Sequence, residues 1–195
     1  MYDENAVVLK TFKGVTFSEH EENFILARFQ KRQLVKGEHL LRFGEKVESQ
    51  YFISEGCLRT YFVDDAGKEH TLQFAINDWW ISDYTAFFSE EIATLNIECV
   101  QDAEVFEITK VSMDQLYAEI PQLEGFIRRK LERAFASFQK RILWNLALSA
   151  KERYKNFIST YPEIEQSVKN YHIASYLGIT TESLSRIRKE IMANK

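Results

Sequence analysis

Apolar residues recur every three or four positions from Leu123 through Ile127, Leu131, Phe135, Phe138, Ile142 and Leu146. A stripe sustained that far reads as one α-helix, about 40 Å long at about 1.5 Å per residue. Such a helix outruns the core of a small domain, and a seam with a second copy buries it naturally. Leu123, Ile127, Leu131, Phe135, Phe138 and Ile142 are therefore expected to form a dimer helix over residues 121–148. Pro121 suits its first turn, where a missing N–H costs nothing.

The sequence before that helix has a different period. Short apolar or alternating runs (HLLRF, YFIS, LRTYFV, HTLQFA, IECV, VFEI) follow one another from about residue 34 to 108. Turn signals separate them at Lys36-Gly37, Gly44-Glu45, Glu55-Gly56 and Asp64-Asp65-Ala66-Gly67. Closely spaced short strands of this kind predict an antiparallel barrel or sandwich. Asp65-Ala66-Gly67 marks a hairpin, with Gly67 free to take positive φ. Residues 18–33 read as a helix, with Ser18 as cap, Glu21 three residues later, and Phe24, Ala27 and Leu34 at helical intervals.

After residue 148 a capping box, Ser149 with Glu152, opens a new helix over about 150–159. Residues 168–191 (VKNYHIASYLGITTESLSRIRKEI) then read as two helices joined by a tight turn. Ile173 and Leu177 share one face, and Ala174 is small where a second helix must cross closely. Gly178 ends the first helix because a left-handed residue there is cheap only for glycine. Ile179 plugs the turn, Thr180 caps the second helix, and Leu184 and Ile187 face inward. Thr181, Glu182, Ser185, Arg186, Arg188 and Lys189 are left on or near the outward face, the layout of a DNA-reading helix-turn-helix. Arginine there can bond guanine O6 and N7 together.

Charge divides the same way. Residues 1–122 hold 11 Lys and Arg against 22 Asp and Glu, whereas residues 123–195 hold 14 against 7. The overall charge of −4 hides a basic C-terminal part suited to a polyanion. No apolar run approaches the ~20 residues that cross a bilayer, and Met1 to Lys10 lacks the pattern of a signal peptide. The chain is expected in the cytoplasm, with no membrane partner. Cys57 and Cys99 form no motif and read as buried, reduced thiols. His20, His39, His70 and His172 are scattered, so no metal site is expected. No Ser-His-Asp spacing, phosphate loop or paired acid stands out, so an enzyme is not expected either.

Taken together these motifs resemble the Crp/Fnr family of transcription regulators, over roughly residues 20–191. Gly37-Glu38, Phe43-Gly44-Glu45 and Tyr51-Phe52-Ile53 with Gly56 look like the opening strands of a cyclic-nucleotide-binding β-roll. Residues 64–69 look like its next hairpin, and Ala103 to Ile108 like its closing strand. The resemblance implies an α+β chain: an N-terminal antiparallel β-roll of the double-stranded β-helix or jelly-roll kind over 1–120, the dimerisation helix over 121–148, and a helix-turn-helix domain over 149–195. Its partners would be double-stranded DNA read at a near-palindromic site, a second copy, RNA polymerase and a small-molecule effector of unknown identity. Glu182 and Arg186 match base-contacting positions, with Arg188 and Lys189 as phosphate or flanking contacts. The effector pocket would take Ser82, Asp83, Tyr84, Thr85, Ala93 and Thr94, with Phe138 and Gln139 from the long helix.

At that pocket the chain departs from the family pattern. The Gly-Glu-Leu…Arg-Ser phosphate cassette appears as Ser82-Asp83-Tyr84…Ala93-Thr94, so the arginine that pairs the cyclic phosphate is missing. The Thr-Ser pair that holds the base appears as Phe138-Gln139. Cyclic nucleotide is therefore disfavoured as cofactor, and the sensor domain reads as degenerate. Trp79, Trp80, Tyr84, Phe87 and Phe88 are read as filled core ahead of a pocket for a less polar effector. No four-cysteine set supports iron–sulfur sensing, and little of the β-wing that commonly follows the second helix is expected before Lys195. The alternatives are a cyclic-AMP-responsive regulator and a ligand-binding or scaffolding module that does not bind DNA.

Overall fold

A computed structural model describes residues 4–193; Met1–Asp3 and Asn194–Lys195, the two ends read above for a leader and a wing, lie outside the described residues. Helices α1 (Glu4–Lys10) and α2 (Glu19–Leu26) precede strands β1 (Gln30–Leu34), β2 (His39–Leu41), β3 (Ser49–Val63), β4 (Glu69–Ala75) and β5 (Trp80–Ile81). Helix α3 (Tyr84–Ser89) and strand β6 (Asn96–Thr109) follow. Then come α4 (Lys110–Glu119), α5 (Gln122–Ala147), α6 (Ala150–Thr160), α7 (Pro162–Ser167), α8 (Asn170–Leu177) and α9 (Thr181–Met192). This is an α+β chain with an antiparallel sheet first and helices last.

The sheet runs β1-β6-β3-β4, with β2 also on β6 and β5 also on β3. Strand β1 pairs antiparallel from Gln30 opposite Glu107 to Leu34 opposite Ala103. That pairing corrects the helix read over 18–33. Helix α2 keeps its capping box, in which Ser18 and Glu21 serve each other's backbone, but it ends at Leu26. Ladder bonds to β6, 69 or more residues away in sequence, override the local helical spacing of Leu34, which packs among sheet residues instead.

The two longest strands, β3 and β6, meet at Gly56. This glycine has φ +92°, and a Cβ there would lie 2.2 Å from the Asp102 carbonyl oxygen and 2.6 Å from Ala103 Cα. Only a residue without a side chain fits between these backbones. Both cysteines are free and buried beside this strand pair. Burial pushes the Cys57 thiol up to about 12 and that of Cys99 to about 11.

The chain divides into two compact units. One holds residues 1–60 and 74–133; the other holds 61–73 and 134–195. In the first, Ile53, Leu58, Ile81, Ile97 and Val105 fill the sheet core, and Phe12, Ile25, Phe52, Leu116, Ile120 and Leu123 fill a second cluster. In the other, Tyr154, Phe157, Ile164, Ile173, Leu177, Leu184 and Ile187 are buried. Helix α5 starts in one unit and finishes in the other, and the hairpin between β3 and β4 belongs with the C-terminal helices. Among the described residues no helix is long and apolar enough to cross a membrane.

Candidate nucleic-acid interface

Helices α8 and α9 make the joint that the sequence requires. Gly178 closes α8 in the left-handed region (φ +66°), and Ile179 N–H reaches the Ala174 carbonyl at 3.0 Å. The Thr180 hydroxyl accepts from Ser183 N–H at 3.2 Å and caps α9. Ile173, Ala174 and Leu177 on α8, and Leu184 and Ile187 on α9, are buried, which sets the two helices against each other.

That packing decides what α9 shows to solvent. Glu182, Ser185, Arg186 and Lys189 are exposed, and Thr181 is half-buried. Hydrogen bonds from the Glu182 amide and from the Thr180 and Thr181 hydroxyls hold the Glu182 carboxyl below the usual carboxylate range. A carboxylate in the first turn is at home beside free helix N–H groups.

Arg188 is placed differently from its neighbours. Its guanidinium donates to Asn170 Oδ1 at 2.6 Å and to the Tyr154 hydroxyl at 3.2 Å, and pairs with Glu165 Oε1 at 2.8 Å. The Tyr154 hydroxyl in turn donates to Glu165 at 2.8 Å, closing a network among α6, α7, α8 and α9. Three partners in its own fold make Arg188 a brace for α9. The sequence held one signal of this: Arg188 follows the buried Leu184 by four residues, which puts it on the inner flank.

Of the residues read as an effector pocket, six come together within one compact unit. Ser82, Asp83, Tyr84, Thr85, Ala93 and Thr94 gather where α3 begins and β6 approaches. Asp83 is fully buried and caps α3 by accepting from Ala86 N–H at 3.3 Å. Its other oxygen accepts from Thr94 N–H at 2.8 Å, the Thr94 hydroxyl at 3.0 Å and Leu95 N–H at 3.0 Å. The corner thus already holds a carboxyl group supplied by the chain itself. Ala93 is buried, its N–H on the Glu45 carbonyl and its carbonyl on Gly44 N–H. Phe138 and Gln139 lie on α5 in the other compact unit and are exposed. Of the aromatic residues nearby, Phe87 is buried and Trp79 and Tyr84 pack on the sheet core, Trp80 packs on the other cluster, and Phe88 is exposed. Sequence reasoning identified Asp83 but not its role, because the Thr94 and Leu95 amides that use it come from the far side of α3.

Along α5 the apolar stripe changes character. Leu123 is fully buried and Ile127 half-buried, but Leu131, Phe135, Phe138, Ile142, Leu143 and Leu146 are 43, 72, 43, 62, 60 and 82% exposed. Six large apolar side chains open to water on one helix form a patch that a single chain leaves uncovered.

Comparison with known proteins agrees with this anatomy. A family model for the cyclic nucleotide-binding domain matches residues 31–119. The transcriptional activator protein Anr of Pseudomonas protegens is 25% identical over 175 residues, covering 84% of this chain and 71% of that protein. The transcriptional activator protein FnrA of Stutzerimonas stutzeri is 25% identical, covering 84% and 70%. Among solved structures, FixK2 from Bradyrhizobium japonicum superposes with a TM-score of 0.74 at 17% identity over 85% of each chain. The c-di-GMP responsive regulator CLP of Xanthomonas campestris gives 0.70 at 15% identity over 91% of this chain and 93% of that one. At such identities the structural likeness concerns the fold.

Proposed function

We propose that the chain is a DNA-binding transcription regulator of the Crp/Fnr type that acts as a homodimer, each copy reading half of a near-palindromic site with α9, as its likeness to Anr and FnrA supports. The observation that carries the reading is the face of α9: Ser185, Arg186 and Lys189 exposed together on a helix whose opposite face is locked by Leu184, Ile187 and the Arg188 brace. The major groove admits one helix, and its base edges are within reach of short polar and guanidinium groups. A two-fold dimer sets two such helices about 34 Å apart, one turn of duplex. The partners on this reading are duplex DNA, a second copy and RNA polymerase, and the place of action is the cytoplasm.

Arg186 is assigned to a base edge and Lys189 to a phosphate. The test begins with duplexes selected from random-sequence DNA by the wild-type chain. Arg186→Ala should weaken the selected duplex by about 1–3 kcal/mol and relax preference at one position per half-site. Lys189→Ala should weaken all duplexes alike and reduce the slope of affinity against salt by about one. If Arg186→Ala leaves affinity and preference as they were, α9 is not the reading helix. A scaffold that ignores DNA would show no salt-dependent duplex binding at all.

The sensor corner supports regulation without cyclic nucleotide. A cyclic phosphate entering there would find Thr94 and Leu95 N–H already engaged by Asp83, and a carboxyl group in place of a cation. Absence of a compensating partner for a buried anion costs about 2–5 kcal/mol. Calorimetric titration with cyclic AMP and cyclic GMP is expected to show no binding at low micromolar concentration. Binding in that range, together with tighter duplex binding, would restore the nucleotide-responsive alternative.

A further inference from the structure

The hairpin between β3 and β4 carries an arrangement that DNA reading alone does not require. Strand β4 ends the sheet path, so among the described residues no strand flanks its outer edge. In an extended strand the N–H and C=O of residues 69 and 71 point to the same side. Ser175 of α8 meets both: its hydroxyl donates to the Glu69 carbonyl at 2.8 Å and accepts from Thr71 N–H at 2.8 Å. Arg141 of α5 completes the edge, donating to the Thr71 carbonyl at 3.2 Å and to the Tyr176 carbonyl at 3.5 Å. Its guanidinium lies 4.0 Å from the centre of the Tyr176 ring. One serine and one arginine therefore do for this edge what another strand would do.

The hairpin is itself stiffened. The Asp64 carboxylate accepts from Ala66 and Lys68 N–H at 3.0 and 2.9 Å and lies 2.7 Å from His70 Nε2, and the His70 ring stacks on Phe62 with centroids 4.7 Å apart. Two features point from here to α9. Ser175 and Tyr176 lie within three residues of Gly178, the joint that sets α9 against α8. Ser185, Arg186 and Lys189 are exposed on α9, so α8 is held while that face of α9 stays open to solvent.

We infer that the hairpin of residues 61–73 is a positioning element of the DNA-reading unit, fixing α8, and through it α9, by the contacts of Ser175 and Arg141 with the β4 edge. Ser175 and Arg141 are positioning residues in this role and touch no base. The inference rests on the DNA-binding reading above, so its experiment keeps the two apart. In the full chain, Ser175→Ala removes both serine bonds without adding bulk. Hydrogen exchange of the Thr71 amide should become about tenfold faster or more, since its acceptor is gone. The dissociation constant for a duplex selected by the wild-type chain should rise about three- to tenfold, with the salt slope unchanged because no phosphate contact is lost. Ser175→Thr keeps the hydroxyl and should return both readouts to near wild type; a merely space-filling serine would not be rescued in this way. Unchanged Thr71 exchange overturns the inference, as does faster exchange with duplex affinity within about twofold of wild type. If the wild-type chain selects no duplex, the DNA-binding reading fails and the positioning role falls with it. Thr71 exchange in the Ser175→Ala chain then still reports whether the contact itself exists.

Discussion

Replacing Ile142 with aspartate is expected to leave a monomer and to abolish tight duplex binding. Ile142 is 62% exposed at the middle of the open stripe on α5, with Phe138 one turn before it and Leu146 one turn after. In a two-fold seam the substitution places two carboxylates among these side chains, one from each copy. Each would lose water without gaining a partner, at a cost of several kcal/mol per ion. The dimer should weaken by about a thousandfold or more. Light scattering at micromolar concentration should then give the mass of one chain for Ile142→Asp and of two for the wild type. Duplex binding should fall with it, since one half-site retains only part of the contacts, and the loss should reach about a thousandfold. A wild-type monomer, or an unchanged mass in the variant, would remove the seam.

The second large effect is on stability. Gly56→Ala should lower the thermal midpoint by about 6–12 °C, from a loss of about 3 kcal/mol. The new Cβ would meet the Asp102 carbonyl oxygen and Ala103 Cα, backbone atoms that move only if β3 and β6 part. It would also force a side chain into φ +92°, which costs about 1–2 kcal/mol by itself. Gly67→Ala separates the two contributions. Gly67 also has positive φ, +77°, but nothing lies within 4 Å of its Cβ position. It should therefore show the conformational cost alone. Equal shifts in scanning calorimetry for both variants would mean that the close approach at Gly56 is not what excludes a side chain.

What could be read from the chain and what could not divides along distance in sequence. The capping boxes at Ser18–Glu21 and Ser149–Glu152, the left-handed Gly178 and the Thr180 cap each involve groups within four residues, and each forms in the structure. The length of α5 follows from its own periodicity. Strand β1 does not: Gln30–Leu34 becomes a strand only because β6 offers a ladder. At the candidate interface the outward register of α9 follows from Leu184 and Ile187, but the partners of Arg188 come from three other helices. Asp83 and Ser175 each look like ordinary polar residues until the amides and carbonyls they serve are seen, 11 to 12 residues away for Thr94 and Leu95, and more than 100 away for Glu69 and Thr71. Side chains that satisfy a distant backbone carry no local signature, whereas helix caps and joints do.

Helix α5 has a consequence for how the chain can change in length. It contributes Leu123 to one compact unit and Arg141 to the other without a proline or a second glycine after Gly125. Inserting or deleting a single residue between them would rotate everything downstream by roughly 100° and shift it by about 1.5 Å. An insertion or deletion after Leu131 would then break the exposed apolar stripe, turning Leu131 away from Ile142 and Leu146. The turn at Asp64–Lys68 sets no helical register downstream, so a longer loop there would cost the Asp64 bonds to Ala66 and Lys68 N–H but little closure entropy. Descendants of this chain should therefore vary in residue count at that turn while α5 changes only by substitution.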